Sequence, residues 1–378
     1  MDEIEYTTSK LMKWMDGEKP GPLTIELLFG DGCNQNCIFC PSYNGKNKPL
    51  GDFNLKNELT KDEYIRIIDE SAKLGTKRIQ LSGDGEPLFD KKKSMSVMKR
   101  IKKHNMHGFL NTNGVLLIEK DIKTLVEIGW DMILISLESP NAKLHDYLVR
   151  LPGAFDKVVH NIRRFNYWKQ KLKKDKPEIE LKMLLTNENY EEIEDMVLLS
   201  HRLNVHLRLD SLIVFHSWGE SLKLDDGKKN DFRKHLNRAI KLSENSHLRF
   251  NISDEIFENT FSKYSTSNHS KRRDINKLKK FMFPKVEKNK FLSSSCYLPW
   301  LRVLIGTTGF VGPCGFSITK ENVKNKKLEE IWFGDVYNEL RNDRLSQKLG
   351  KECSICADIE YNHNIRNCLI NRVGEWKK

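Results

Sequence analysis

Leu23-Thr-Ile-Glu-Leu-Leu-Phe29, then Gly30-Asp-Gly, then Cys33-Asn-Gln-Asn-Cys37-Ile-Phe-Cys40 follow one another near the amino end of the chain. The first seven residues are mostly apolar and β-prone, bounded by Gly21-Pro22 and Gly30. They predict a buried strand whose carboxyl end delivers the cysteines. The CxxxCxxC spacing offers three thiolates from one short loop to a metal centre. A 4Fe-4S cluster has four irons, so three cysteines hold three of them and leave one open to an outside ligand. Zinc is the alternative reading. Structural zinc usually takes four protein ligands, often as paired CxxC units, and no fourth Cys or close His follows Cys40.

The chain has 378 residues, enough for a sizeable core and more than one domain. A mean hydropathy of -0.58 and 31% charged residues describe a soluble protein. The opening MDEIEYTTSKLMKWMDGEKP is acidic early and has no apolar run of signal-peptide length, and no later stretch reaches the apolar length of a membrane span. A cytoplasmic location with no membrane partner is expected. Eight cysteines without secretory context suit metal ligation better than disulfides.

Beyond the cysteine loop, helical and strand patterns alternate. Thr60 and Glu63 predict a capping box opening a helix with Ile65, Ile68 and Ala72 on one face and Gly75 as its stop. Strands are predicted at 78–82, 108–111, 132–137, 179–185 and 205–209, with helices at 91–103, 119–128, 141–150, 155–169 and 190–203 between them. Six β-α units in sequence imply an α/β fold with a parallel sheet, closed as a partial (β/α)6 TIM-like barrel that works at the carboxyl ends of its strands. This divides the chain into an extension at 1–21, the barrel at 22–215, a basic, mostly helical connection at 216–292 and a small α+β domain at 293–378.

The cysteine loop resembles the signature of the radical S-adenosylmethionine (SAM) enzymes. There, SAM's amine and carboxylate chelate the open iron. The resemblance extends to Gly83-Asp84-Gly85-Glu86-Pro87 after the second strand, which is similar to the family's GGEP motif for the SAM amino group, with Asp84 in place of the commoner glycine. It implies a site for SAM's ribose and carboxylate at Asn113, Ser136 and Arg150, and a further contact at Asn187. Each of these also has an ordinary reading as a turn or helix-end residue. Glu138, Asp210, His216 and Glu220 lie near strand ends as possible substrate contacts.

Cys296, Cys314, Cys353 and Cys356, ending in a CxxC, are similar in order to the short "twitch" version of the SPASM domain, which holds one auxiliary 4Fe-4S cluster. A β-hairpin between the first two cysteines and a helix over 328–340 are predicted, and Cys368 is left unassigned. From spacing alone, four such cysteines also fit structural zinc. Between the barrel and this region, residues 261–290 carry ten Lys or Arg against Asp274 and Glu287. That surplus reads either as a solvated helix or as a docking surface for an acidic reductant such as flavodoxin or ferredoxin.

The resemblance implies an enzyme that cleaves SAM reductively and abstracts hydrogen from a substrate. The auxiliary cluster supplies an electron sink, which points to dehydrogenation of a small polar metabolite, a sugar or aminocyclitol alcohol. Peptide modification is the second reading. Only 32 residues precede Cys33, fewer than the leader-recognition domain common in that class. The end Gly374-Glu-Trp-Lys-Lys378 departs from the Gly-Gly tail of the molybdenum-cofactor cyclase. A third reading, a non-catalytic basic iron-sulfur or zinc protein on nucleic acid, gives the strand-end motifs no reason to recur.

Overall fold

The computed structural model describes residues 3–30, 32–41, 57–212, 214, 217–244, 246–252, 291–350, 353, 356 and 358–376. The basic segment 261–290 and His216 lie outside the described residues. Among the described residues a sheet of nine strands organises the fold, in the order β7-β6-β5-β4-β3-β2-β1-β8-β9. The strands are β1 (Thr24–Leu28), β2 (Arg78–Ser82), β3 (His107–Thr112), β4 (Met132–Ser136), β5 (Glu178–Leu185), β6 (His206–Ser211), β7 (Phe250–Ile252), β8 (Arg302–Ile305) and β9 (Val311–Gly312). All neighbours pair in parallel except β8 and β9, which form the expected hairpin.

The helices α1 (Glu3–Met15), α2 (Lys61–Lys73), α3 (Lys91–Lys103), α4 (Glu119–Glu127), α5 (Ala142–Val149), α6 (Ala154–Leu172), α7 (Ile193–Leu203) and α8 (Lys229–Ser243) include the crossovers between the parallel strands. The α2 start carries the predicted capping box, with Thr60 N donating to Glu63 at 2.7 Å and Glu63 N to Thr60 Oγ1 at 3.3 Å. Its inner face is Tyr64, Ile67, Ile68 and Ser71, a quarter turn from the predicted stripe; Ile65 and Ala72 flank it, half-buried. Gly75 ends the helix at φ +76, a conformation that costs a residue without Cβ little.

Strand residues alternate between two environments. Ile25, Leu27, Ile79, Leu81, Ile133 and Ile135 are fully buried in the main core. Glu26, Gln80 and Ser82 point the other way and bond one another: Glu26 accepts from Ser82 Oγ at 2.9 Å and from Gln80 Nε2 at 3.3 Å. Glu180 and Arg208 pair across β5 and β6 at 3.0 Å on that same polar face. Apolar outside and polar inside is the pattern of a barrel whose lumen takes a polar ligand.

The sheet does not stop at the predicted barrel boundaries. Beyond 215, β7 adds a seventh parallel strand, and β8 pairs along the free edge of β1, Thr24 opposite Arg302 through Leu27 opposite Ile305. The expected helix over 328–340 is two helices, Leu328–Trp332 and Asp335–Leu345, because the chain turns at Phe333-Gly334. The opening residues form α1, which packs on the last helix, Ile359–Trp376, in a second core of Leu11, Tyr297, Trp300, Leu301, Ile365 and Leu369. The Arg341 guanidinium lies 4.6 Å from the Trp14 ring and 4.5 Å from the Trp332 ring, locking α1 to both helices after the hairpin. Among the described residues no helix is long and apolar enough to cross a membrane.

Candidate functional site

The carboxyl end of β1 turns into the cysteine loop while still paired to β2, with Phe29 N donating to Ser82 O at 2.7 Å. Three neighbours then hold the loop. Glu86 N donates to Gly32 O at 2.9 Å, Asn113 Nδ2 donates to Asn34 Oδ1 at 2.8 Å, and Asn36 N and Ile38 N donate to Val149 O and Leu148 O at 3.2 and 2.9 Å. The ends of β2, β3 and α5 therefore fix where Cys33, Cys37 and Cys40 stand. All three thiols are half-buried and outside any disulfide. Burial pushes Cys33 up to about 11 and Cys37 well above the ordinary thiol range, the latter raised further by the Glu138 carboxylate. Without a cationic centre Cys33 and Cys37 are neutral thiols at pH 7, and a cationic centre bound there would make thiolates favourable.

Gly83 opens the turn after β2. A Cβ on it would lie 3.0 Å from Phe29 O and 3.1 Å from Gly85 O, both backbone atoms that cannot swing away. A Gly83→Ala substitution is therefore expected to push this turn off the cysteine loop and weaken SAM binding about tenfold or more, read by equilibrium dialysis on reconstituted enzyme. Unchanged affinity would show that the turn does not form the SAM cradle. Asp84 is exposed, Gly85 half-buried and Pro87 buried, its carbonyl accepting from Ser94 Oγ.

Glu86 is 3% exposed and its carboxylate already serves the protein. Oε1 accepts from Thr112 Oγ1 at 2.6 Å and Leu88 N at 3.0 Å, and Oε2 from Asn113 N at 2.7 Å. It ties the β2 turn to the end of β3, leaving one acceptor direction on Oε2 for a ligand donor. Asn113 is the third member of this knot, buried between Glu86 and Asn34.

Ser136 stands half-buried at the end of β4. Arg150 caps α5 in the left-handed region at φ +52, with its side chain exposed beside the cysteine loop. Asn187 is turned toward the β6-α8 connection instead, its amide oxygen accepting from Lys228 Nζ and its backbone N donating to Leu222 O at 2.7 Å. Glu220 is exposed and Asp210 half-buried.

Glu138 is the ionisable group that pattern reading left among surface candidates. It is 2% exposed, with Oε2 accepting from Leu184 N at 2.8 Å. Burial raises its carboxyl to about 7, against the pull of Lys182 and with a push from Asp210. Its backbone is pinned by His145 Nδ1, which accepts from Glu138 N at 3.1 Å, and by Asn189 Nδ2, which donates to Glu138 O at 2.7 Å. The His145 ring is fully buried, and burial lowers its pKa to about 4, so it stays neutral. The sequence signal was there in Ser-Leu-Glu-Ser followed by a helix carrying His145, but only the fold brings His145 back to the strand end.

Cys296, Cys314, Cys353 and Cys356, drawn from three separate stretches of chain, line one cavity together with Arg344 and Phe316. Cys368, on the last helix, does not line it. Cys296 is pushed up to about 12 by burial, partly offset by the Arg344 charge, and burial also raises Cys356. Among the described residues no three His, Cys, Asp or Glu side chains are gathered as ligands of a single metal ion. Four thiols around one cavity match in number the donor set of a 4Fe-4S cluster. Arg302 on β8 joins this region to the barrel, donating to Pro313 O and to Asp358, both at 2.9 Å, and facing Glu26 of β1 at 3.7 Å.

Residues 27–199 match the radical SAM superfamily model, and residues 296–357 match the SPASM iron-sulfur cluster-binding domain model. The chain is 24% identical over 335 residues to an AdoMet-dependent heme synthase of Methanosarcina barkeri, covering 86% of this chain and 85% of that one. It is 29% identical over 231 residues to a GTP 3',8-cyclase of Clostridium perfringens, covering 60% of this chain and 66% of the other. Among solved structures, Streptococcus suis SuiB bound to S-adenosylmethionine superposes with a TM-score of 0.61 at 16% identity, over 88% of this chain and 70% of SuiB. Native anSMEcpe with bound AdoMet gives 0.58 at 15% identity, over 90% and 89%. At these identities the structural likeness is one of fold.

Proposed function

This chain is a radical SAM superfamily enzyme with a carboxyl-terminal SPASM iron-sulfur domain, and we propose that it removes hydrogen from a carbon bearing a hydroxyl group on a small polar substrate. Cys33, Cys37 and Cys40 hold the SAM-binding 4Fe-4S cluster. The turn Gly83-Asp84-Gly85-Glu86-Pro87, with Asn113, Ser136 and Arg150, forms the SAM cradle around it. Asn187, just after β5 and bonded to Lys228, adds a further contact. Cys296, Cys314, Cys353 and Cys356 hold the auxiliary cluster.

With SAM and one electron, the first cluster supplies a primary carbon radical that abstracts hydrogen. The protein's part is to keep that radical dry and aimed. The Glu86 knot fixes the turn against the cysteine loop, and the apolar wall of Phe29 stacked on Tyr64 at 4.4 Å backs the β1 end. Removal of one hydrogen atom, one proton and one electron from such a carbinol carbon would leave a ketone, and a cluster held by Cys296, Cys314, Cys353 and Cys356 would supply the electron acceptor that this balance needs. The observation that supports this reading is that Cys296, Cys314, Cys353 and Cys356 line one cavity, enough donors to ligate every iron of a 4Fe-4S cluster that would serve as an electron acceptor.

The test is anaerobic reconstitution with iron counts and Mössbauer spectra, followed by turnover with alcohol substrates deuterated at the reacting carbon. Roughly eight irons per chain, deuterium in 5'-deoxyadenosine and matching ketone are expected. Stoichiometric zinc at the carboxyl-terminal cysteines would overturn the reading. Peptide modification is the second reading, favoured by the likeness to SuiB, which has been solved bound to the precursor peptide SuiA. Deuterium transfer from peptides but from no metabolite would select it.

A further inference from the structure

Arg344 sits on the helix Asp335–Leu345 with its side chain in the cavity of the four cysteines, 7% exposed. Nη1 donates to Lys348 O at 2.6 Å and Nη2 reaches Ser317 Oγ at 3.4 Å. Among the described residues no carboxylate lies within ion-pair distance of it. Arg302, the other cation beside these cysteines, has Asp358 at 2.9 Å and Glu26 at 3.7 Å to balance it. A buried guanidinium without a counter-ion is strongly unfavourable, and two of its five N–H donors account for all its protein bonds. Four thiolates around an oxidised 4Fe-4S core leave a net negative charge in the same cavity. Each supplies what the other lacks.

We propose that Arg344 is the counter-ion of the auxiliary cluster, and that its charge and uncommitted N–H groups raise the cluster's reduction potential so that it accepts the substrate electron. The proposal rests on the assignment of that cluster to Cys296, Cys314, Cys353 and Cys356. The reduced cluster carries one more negative charge than the oxidised one, so a cation beside it favours the reduced form. Arg344 acts through the cluster and is a positioning residue, distant in role from the SAM cradle.

Redox titration of the reconstituted holoenzyme followed by EPR tests this, with the SAM-binding cluster identified by its change on adding SAM. In Arg344→Gln the ratio of reduced to oxidised auxiliary cluster at a fixed potential is expected to fall about tenfold, a 59 mV shift for one electron. Arg344→Lys, which keeps the charge, should recover most of it. Lys348→Gln, which removes a side chain 74% exposed and paired with Asp343, should change the ratio less than about twofold. An intact cluster in Arg344→Gln with an unshifted potential overturns the proposal.

A second measurement does not depend on the variants. Wild-type enzyme grown on nitrogen-15 arginine should show a nitrogen-15 coupling to the reduced auxiliary cluster in pulsed EPR, and its absence overturns the proposal. Wild-type protein with iron for only one cluster overturns the cluster assignment itself.

Discussion

Replacement of Cys33, Cys37 and Cys40 together by Ala is expected to reduce 5'-deoxyadenosine formation to the uncatalysed background while iron falls from about eight to about four per chain. The two halves of the result have separate causes. The loop is held to the ends of β2 and α5 by backbone bonds and to the end of β3 by the Asn113–Asn34 side-chain bond, none of which uses a thiol, so truncating the thiols leaves the loop seated. Cys296, Cys314, Cys353 and Cys356 line a cavity that includes none of the three loop cysteines, so iron bound there is expected to stay. Near-wild-type 5'-deoxyadenosine from the triple variant would refute the assignment. Loss of all iron with an intact fold would show that the two sites load as one.

The second large effect concerns Cys353 and Cys356. With both changed to Ala, SAM cleavage should persist within a few-fold of wild type, because the first cluster is untouched, whereas ketone formation should drop on the order of 100-fold. Deuterium from the substrate should still reach 5'-deoxyadenosine, since abstraction precedes the electron transfer that is lost. Circular dichroism and the far-side contacts of Arg302 with Pro313 and Glu26 provide the folding control. Normal oxidised product from a folded variant would remove the auxiliary cluster from the reaction and leave only the general radical SAM chemistry.

Much of the barrel was legible because its signals are local. Apolar runs such as Ile79 and Leu81 or Ile133 and Ile135 sit between glycine stops and helix caps, and the strands appear within a residue or two of their predicted places. The Thr60–Glu63 box was readable to the atom, since capping depends on residues three apart.

What could not be read depends on partners distant in sequence. Nothing in Arg302 to Ile305 says that its neighbour is β1. Glu86 reads as a carboxylate free for a ligand, and only the fold shows that Thr112 and Asn113 arrive from the next strand to share it. The bond between Asn187 and Lys228 likewise joins residues far apart in sequence. Glu138 was indistinguishable from a surface acid because its burial is made by His145, Asn189 and the cysteine loop together. Arg344 carried no motif at all, and only the meeting of three cysteine-bearing stretches makes its position informative.

The pairing of β8 along β1 has a consequence for how the chain is made. As the polypeptide leaves the ribosome, β1 emerges before β2 and pairs with it, yet among the described residues its other edge has no partner strand until residues 302–305 are synthesised. Until then the nascent barrel presents an open row of backbone donors and acceptors, the kind of edge on which chains aggregate. A fragment ending at residue 292 would keep that edge permanently, and should be recovered from cells as inclusion bodies rather than as a working half-enzyme. Residues 302–305 thus act as the closing seam of β1, and that closure has to bring together two distant stretches of the chain.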